Sequence, residues 1–181
     1  MHWIALRPSP DAAAAPTEPA LVDASTALAW WALRFTPLVA RVGDVLVLEV
    51  SASERLFGGR TALLRQLLEP NKPVALAEYA QGATSLIALA ALQVHACRVG
   101  QAAPVRAVLP DALPVHTLAA AHPHLPTLAR LGVRTWGQLR ALPRGGVVRR
   151  FGAEVVDALD RAYGQRPEVY PWLTLPDVFD A

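Results

Sequence analysis

The sequence has few of the features that would cross-link a fold or place it in a membrane. Of its 181 residues only Cys97 is a cysteine, so no disulfide can form within the chain, which fits a reducing compartment. The longest apolar stretches, residues 27–33 and 86–92, are far shorter than the roughly 20 residues of a membrane-spanning helix. The N-terminus has no basic segment followed by an apolar run, so no export signal is predicted. Charged residues make up 18% of the chain and apolar residues 53%, which excludes disorder. We therefore expect a soluble cytoplasmic protein.

Short apolar runs and helical periodicity alternate through the first part of the chain. Residues 9–25 are rich in alanine and proline, which predicts a linker. The alternation predicts an α+β domain over residues 1–113, with an α/β-like sheet covered by helices. The predicted strands are residues 3–6, 44–51, 73–78 and 104–109, and the predicted helices are 25–35, 60–69 and 84–94.

In the last third of the chain the periodicity is helical only. Three leucines spaced three residues apart predict a short helix that Gly132 ends. Thr135 can cap a second helix, which Pro143 ends. A third helix is predicted over residues 153–163. The sequence thus predicts a small all-helical domain and a following linker, at residues 114–166 and 167–181.

Positive charge is concentrated in one block of the sequence. Residues 1–121 contain equal numbers of basic and acidic side chains, nine of each. Residues 122–166 contain eight arginines and three acids, whereas the last fifteen residues contain three acids and no basic residue. A basic block of this kind favours a polyanionic partner, although a solvated face of arginines has the same composition.

The turn at residues 131–135 joins two short helices in the pattern of a helix-hairpin-helix, which grips the nucleic-acid backbone without reading sequence. Its glycine lets the chain approach a phosphate, and the first amides of the second helix can donate to phosphate oxygens. A second turn, at residues 143–146, has the same ingredients. The candidate DNA contacts are Arg130, Gly132, Val133, Arg134 and Thr135 at the first turn, and Arg144, Gly145, Gly146, Arg149 and Arg150 at the second.

Two segments resemble the Y-family translesion DNA polymerases. Residues 128–168, LARLGVRTWGQLRALPRGGVVRRFGAEVVDALDRAYGQRPE, are similar to the thumb of these enzymes. Residues 35–59, FTPLVARVGDVLVLEVSASERLFGG, are similar to the palm segment that carries their Ser-x-Asp-Glu site. Within the family, the chain most resembles the non-catalytic polymerase homologues of bacterial mutagenesis cassettes. The resemblance implies a partial palm sheet with packed helices, followed by a helical thumb.

The resemblance also implies where metal-binding acids should lie. Active members hold two divalent ions with carboxylates from the first strand and from the Ser-x-Asp-Glu strand. In this chain residues 6–8 read Leu-Arg-Pro where the family has its first aspartate, and Val42, Asp44 and Val45 match the serine, aspartate and glutamate. Glu49 lies five residues from Asp44, so side-chain alternation on a strand would place these two acids on opposite faces. We therefore interpret Asp44 as a vestigial acid and expect no metal ion and no cofactor.

Two further parts of the family pattern are missing from the sequence. Active members carry a fingers subdomain between the first strand and the helix before the site strand, but here that interval is only residues 9–25. The resemblance implies a little-finger domain after the thumb, and residues 167–181 would form the linker towards it. The sequence therefore corresponds to a palm and a thumb without fingers.

Taken together, the resemblance implies a catalytically inactive polymerase homologue that binds DNA and scaffolds damage-induced mutagenesis. The implied partners are a RecA-like accessory protein, an error-prone polymerase and the sliding clamp, and the implied location is the bacterial cytoplasm at the nucleoid. Two alternatives stay open on the sequence. One is an active Y-family polymerase that uses Asp44 with carboxylates not yet identified, and the other is a protein-interaction module whose arginines contact no phosphate.

Overall fold

A computed structural model describes residues 1–9, 24–69, 76–98 and 108–174, and within these ranges the chain forms five strands and seven α-helices. This mixture of antiparallel strands and helices confirms the predicted α+β class. None of the helices in these ranges is long and apolar enough to cross a membrane. Most of the predicted linker at 9–25, and most of the strand predicted at 104–109, lie outside the described residues.

The five strands form one antiparallel sheet in the order β2-β3-β1-β4-β5. β1 lies in the centre because its apolar run is buried on both faces, with residues 3–6 at most 2% exposed. β2 was not predicted from the sequence, and β4 continues four residues beyond its predicted end at 78. The strand bounds are β1 Trp3–Pro8, β2 Val39–Val42, β3 Val45–Glu49, β4 Leu76–Gly82 and β5 Cys97–Arg98.

Helices cover both faces of the sheet. Side chains alternate along β1, so Ile4 and Leu6 face one layer while Trp3 and Ala5 face the other. The first layer contains α1 and α2, and the second contains α3. Thr84 caps α3 by accepting a hydrogen bond from the Ile87 amide. The helix bounds are α1 Ala24–Ala32, α2 Arg60–Leu67 and α3 Ser85–His95.

The helical region follows three short 3₁₀ helices between residues 110 and 124. Its α-helices are α4 Leu125–Arg130, α5 Trp136–Arg140, α6 Arg144–Phe151 and α7 Ala153–Ala162. The predictions for α4, α5 and α7 are confirmed, including the glycine after α4 and the threonine cap of α5.

Helix α6 corrects the sequence analysis, which placed Arg144, Gly145 and Gly146 in a turn. These residues form the first helical turn of α6. Glycine is a poor helix former, which hid the helix in the sequence. The helix forms because Val147 and Phe151, one turn apart, are both buried in the core of the helical region.

The helical region is attached to the sheet region through α3. Ile87 and Ala90 of α3 belong to the same apolar cluster as Trp136 and Leu159 of the helical region. The Thr84 hydroxyl also donates a hydrogen bond of 2.9 Å to the carbonyl of Ala162. Helix α3 therefore contributes both to the core of the sheet region and to the core of the helical region.

Candidate nucleic-acid interface and remnant acid site

The turn between α4 and α5 is closed by the backbone. Gly132, at φ +75°, donates its amide to the carbonyl of Ala129 at 3.0 Å, and Val133 donates to that of Leu128 at 2.9 Å. This is the Schellman arrangement, in which a left-handed glycine satisfies the last carbonyls of a helix. Gly132 and Val133 therefore shape the turn, and their amides have acceptors within the protein.

A capping box occupies the amides at the start of α5. Thr135 accepts a hydrogen bond from the Gln138 amide at 3.3 Å. In return, the Gln138 side-chain oxygen accepts from the Thr135 amide at 3.2 Å and from the Arg134 amide at 2.7 Å. From the sequence we predict unpaired amides here, but the Trp136 amide donates to the carbonyl of Leu113 at 2.9 Å. A phosphate that bound the Arg134 or Thr135 amide would have to displace Gln138. The Thr-x-x-Gln spacing is a sequence signal for this box that was missed.

The N-terminus of α6 is open by comparison. Arg144, Gly145 and Gly146 are exposed, and no side chain caps the helix. A Cβ atom built on Gly145 would meet nothing within 4 Å. The Gly146 amide donates to the carbonyl of Pro143 at 2.8 Å, whereas the amides of Arg144 and Gly145 have no acceptor among the described residues. An anion can approach these two donors along the positive end of the helix dipole.

The Arg144 side chain has an acid partner that the sequence analysis did not identify. Its guanidinium donates to both carboxylate oxygens of Asp160 on α7, one of them at 2.8 Å. The hydrogen bond from Arg144, aided by its charge and that of Arg166, keeps the pKa of Asp160 below its ordinary value despite burial. Asp160 is buried, and the pair ties α6 to α7. The charge of Arg144 is thus largely neutralised within the protein.

The other arginines of the basic block fall into two groups. Arg166 forms an ion pair with Asp157 at 2.6 Å, and the Arg140 guanidinium lies 4.1 Å from the centre of the Tyr163 ring. Arg161 donates from its Nε to the backbone carbonyl of Asp157 at 3.3 Å. By contrast, four exposed arginines contact no carboxylate, aromatic ring or backbone carbonyl in the described parts of the chain. These are Arg130, Arg134, Arg149 and Arg150.

The structure corrects the predicted position of Asp44. It lies in the two-residue turn between β2 and β3, beside Gly43 at φ +61°, and its side chain is 81% exposed. Because Asp44 lies outside the strand, side-chain alternation does not determine whether Asp44 and Glu49 face the same side of the sheet. Glu49 is nevertheless unable to join it, because it is buried at the far end of β3 and accepts hydrogen bonds from Ser51.

A positively charged side chain, that of Arg7, lies beside Asp44. Arg7, at the end of β1, places its Nε 3.7 Å from an Asp44 carboxylate oxygen and its Nη1 2.7 Å from a Glu78 carboxylate oxygen. Glu78 was not singled out in the sequence, although β1 pairs Arg7 directly with it. In the described ranges no three histidine, cysteine, aspartate or glutamate side chains are grouped closely enough to hold a metal ion.

Comparison with known proteins supports the resemblance found in the sequence. No protein-family model matches the chain. The chain is 33% identical over 169 residues to Protein ImuB from two strains of Caulobacter vibrioides, a match that covers 88% of this chain. It spans only 35% of the length of these curated relatives. The resemblance predicted from the sequence is thereby confirmed: the chain is a homologue of ImuB, itself a Y-family polymerase homologue, over about a third of that protein's length.

Proposed function

We propose that this chain is a catalytically inactive polymerase palm and thumb that holds the DNA backbone and serves as a scaffold for damage-induced mutagenesis. The observation that carries the DNA-binding part is the set of four exposed, unpaired arginines around the α4–α5 turn and on α6. Unpaired arginines add attraction for phosphate, whereas those already in ion pairs add little.

The proposed DNA contacts differ between the two turns. At the second turn, the free amides of Arg144 and Gly145 would donate to a phosphate, and Gly146 would keep the approach clear. The side chains of Arg149 and Arg150 would extend this contact along the DNA backbone. At the first turn, the side chains of Arg130 and Arg134 would bind phosphate, while Gly132, Val133 and Thr135 hold the turn in shape. Backbone contacts of this kind carry no sequence information.

The proposed lack of catalysis rests on the surroundings of Asp44. Two-metal catalysis requires two cations about 3.5 to 4 Å apart, held by several carboxylates. Asp44 lies in an exposed turn, and Arg7 supplies a positive charge where a divalent cation would have to bind. Mg²⁺ would have to compete with this guanidinium for Asp44 and Glu78.

The scaffold part of the proposal rests on the homology to ImuB. The proposed partners are a RecA-like accessory protein, an error-prone polymerase and the sliding clamp, at the nucleoid in the bacterial cytoplasm. Since the match spans 35% of the relatives' length, the residues that contact each partner are not assigned to this chain.

DNA binding is tested by fluorescence anisotropy on a primer-template duplex at several salt concentrations. Four phosphate contacts predict that log K falls with log salt with a slope of roughly −3 to −4. Replacing Arg134 and Arg149 by glutamate should weaken binding and flatten the slope by about 2. The matched control is Arg55→Glu with Arg65→Glu, which changes the charge equally at exposed positions of the sheet region. Equal loss in both variants, or none in either, would leave the arginines of the helical region without a specific role and favour a protein-interaction module.

Catalytic inactivity is tested by primer extension with Mg²⁺ or Mn²⁺. We expect no template-directed incorporation by the parent chain, because Asp44 and Glu78, with the Arg7 guanidinium between them, are too few carboxylates to hold two cations. Incorporation that disappears in Asp44→Ala would show that the chain is an active polymerase and would contradict this part of the proposal.

A further inference from the structure

The segment after α7 returns to the sheet region, and Glu168 makes its main polar contact there. One oxygen of the Glu168 carboxylate accepts from the Ser85 amide at 2.9 Å. The other accepts from the Ser85 hydroxyl at 2.5 Å and from the Leu86 amide at 3.2 Å. Ser85 and Leu86 are the first two residues of α3, whose third amide, that of Ile87, is already capped by Thr84. The carboxylate thus satisfies the remaining amides at the positive end of this helix.

Alternate side chains of the same segment contact the sheet region. Tyr170 shares a hydrogen bond with the Ser85 hydroxyl at 2.5 Å, and its ring lies 5.9 Å from that of Trp3. Trp172 stacks on Trp3 at 6.2 Å, and the Leu173 amide donates to the carbonyl of Val39 at 2.8 Å. The side chains between these contacts point to solvent, as Val169, 84% exposed, shows.

We propose that Glu168 is a latch that fixes this exit segment, residues 168–173, across α3 and the edge of the sheet. Three of its six residues, Val169, Pro171 and Trp172, are exposed, so burial of apolar surface supplies only part of what holds the segment. Hydrogen bonds to a carboxylate are stronger than neutral ones and act here on two backbone amides and a buried hydroxyl. The latch therefore positions residues 169–173 so that Leu173 lies beside β2. It involves none of the arginines on which the proposed DNA contact rests.

Amide hydrogen exchange tests the latch directly, because the Ser85 and Leu86 amides are themselves the donors. In Glu168→Ala we expect these two amides to exchange roughly tenfold faster or more, as the loss of charge-assisted hydrogen bonds implies. Amides of residues 169–173 should also exchange faster, whereas α7 should be unaffected. The matched control is Glu154→Ala, which removes an exposed acid with no hydrogen-bond partner among the described residues.

Two further variants separate the contributions to the latch. Glu168→Gln keeps the length of the side chain and can accept at one oxygen only, so it should give an intermediate rate and remain informative if the alanine variant does not fold. Tyr170→Phe keeps the carboxylate, so protection of Ser85 and Leu86 should persist. Unchanged exchange at these two amides in both Glu168 variants, or equal acceleration in Glu154→Ala, would overturn the proposal.

Discussion

At the scale of single residues, the partners of charged side chains decide which of them can act on a ligand. Arg144 and Arg149 are both exposed arginines on α6, yet only Arg144 has a carboxylate, Asp160, within hydrogen-bonding distance. Likewise Asp44 has a positively charged neighbour, Arg7, whose Nε lies 3.7 Å from its carboxylate. In both places the charge has its partner within the protein, whereas the proposed DNA contact rests on arginines without a carboxylate partner.

The pair of Arg144 with Asp160 gives a prediction about stability and pH. The pKa of Asp160 is lowered in the folded protein, so its contribution to stability is present above the ordinary carboxyl value of 3.8 and is lost as pH falls through the lowered value. At neutral pH, Asp160→Asn should lower Tm by roughly 2 to 4 °C. Thermal unfolding from pH 7 to pH 2.5 should show the difference from the parent protein shrinking below about pH 4.

The control for this prediction is Asp157→Asn, which breaks a more exposed ion pair with Arg166. Its effect should be smaller because water and salt screen exposed pairs. If the Tm difference between Asp160→Asn and the parent protein stays constant down to pH 2.5, the charge of the Asp160 carboxylate contributes nothing to stability.

At the scale of elements, the short helices of the helical region depend on their ends. Helix α5 has only five residues, too few to be stable by propensity alone, so its capping box and its buried residues Trp136 and Leu139 must hold it. The same box keeps the Arg134 and Thr135 amides occupied. Helix α6 lacks such a cap, and this difference distinguishes the two proposed DNA contacts.

Removing the cap of α5 should therefore cost stability. Thr135→Ala should lower the free energy of unfolding by about 1 kcal/mol, since the side chain no longer accepts from the Gln138 amide. Denaturant unfolding measures this loss, and Thr135→Ser, which keeps the hydroxyl, should restore most of it. If serine and alanine destabilise the protein equally, the hydroxyl is not the stabilising group.

At the scale of the whole molecule, α3 is the element that joins the parts. One face of it packs on the sheet through Ala88, Ala91 and Leu92, and another contributes Ile87 and Ala90 to the helical core. Thr84, its N-cap residue, donates to the carbonyl of Ala162 at the end of α7, and Ser85 in its first turn donates to Glu168. The end of α7 and the start of the exit segment therefore both contact the N-terminal end of α3. The position of the arginines relative to the sheet thus depends on one apolar helix without a charged residue between 85 and 94.

The sequence by itself determined the α+β class, the strand β1, most helices and the glycine and threonine that end α4 and begin α5, because these depend on periodicity and local backbone preferences. It also carried the resemblance that the homology to ImuB confirms. Only the tertiary structure decided that Asp44 lies in a turn, that Arg144 is paired with Asp160 and that Glu168 reaches α3. These contacts join residues up to 83 positions apart in the chain, and local pattern carries no information about which distant charges fold together.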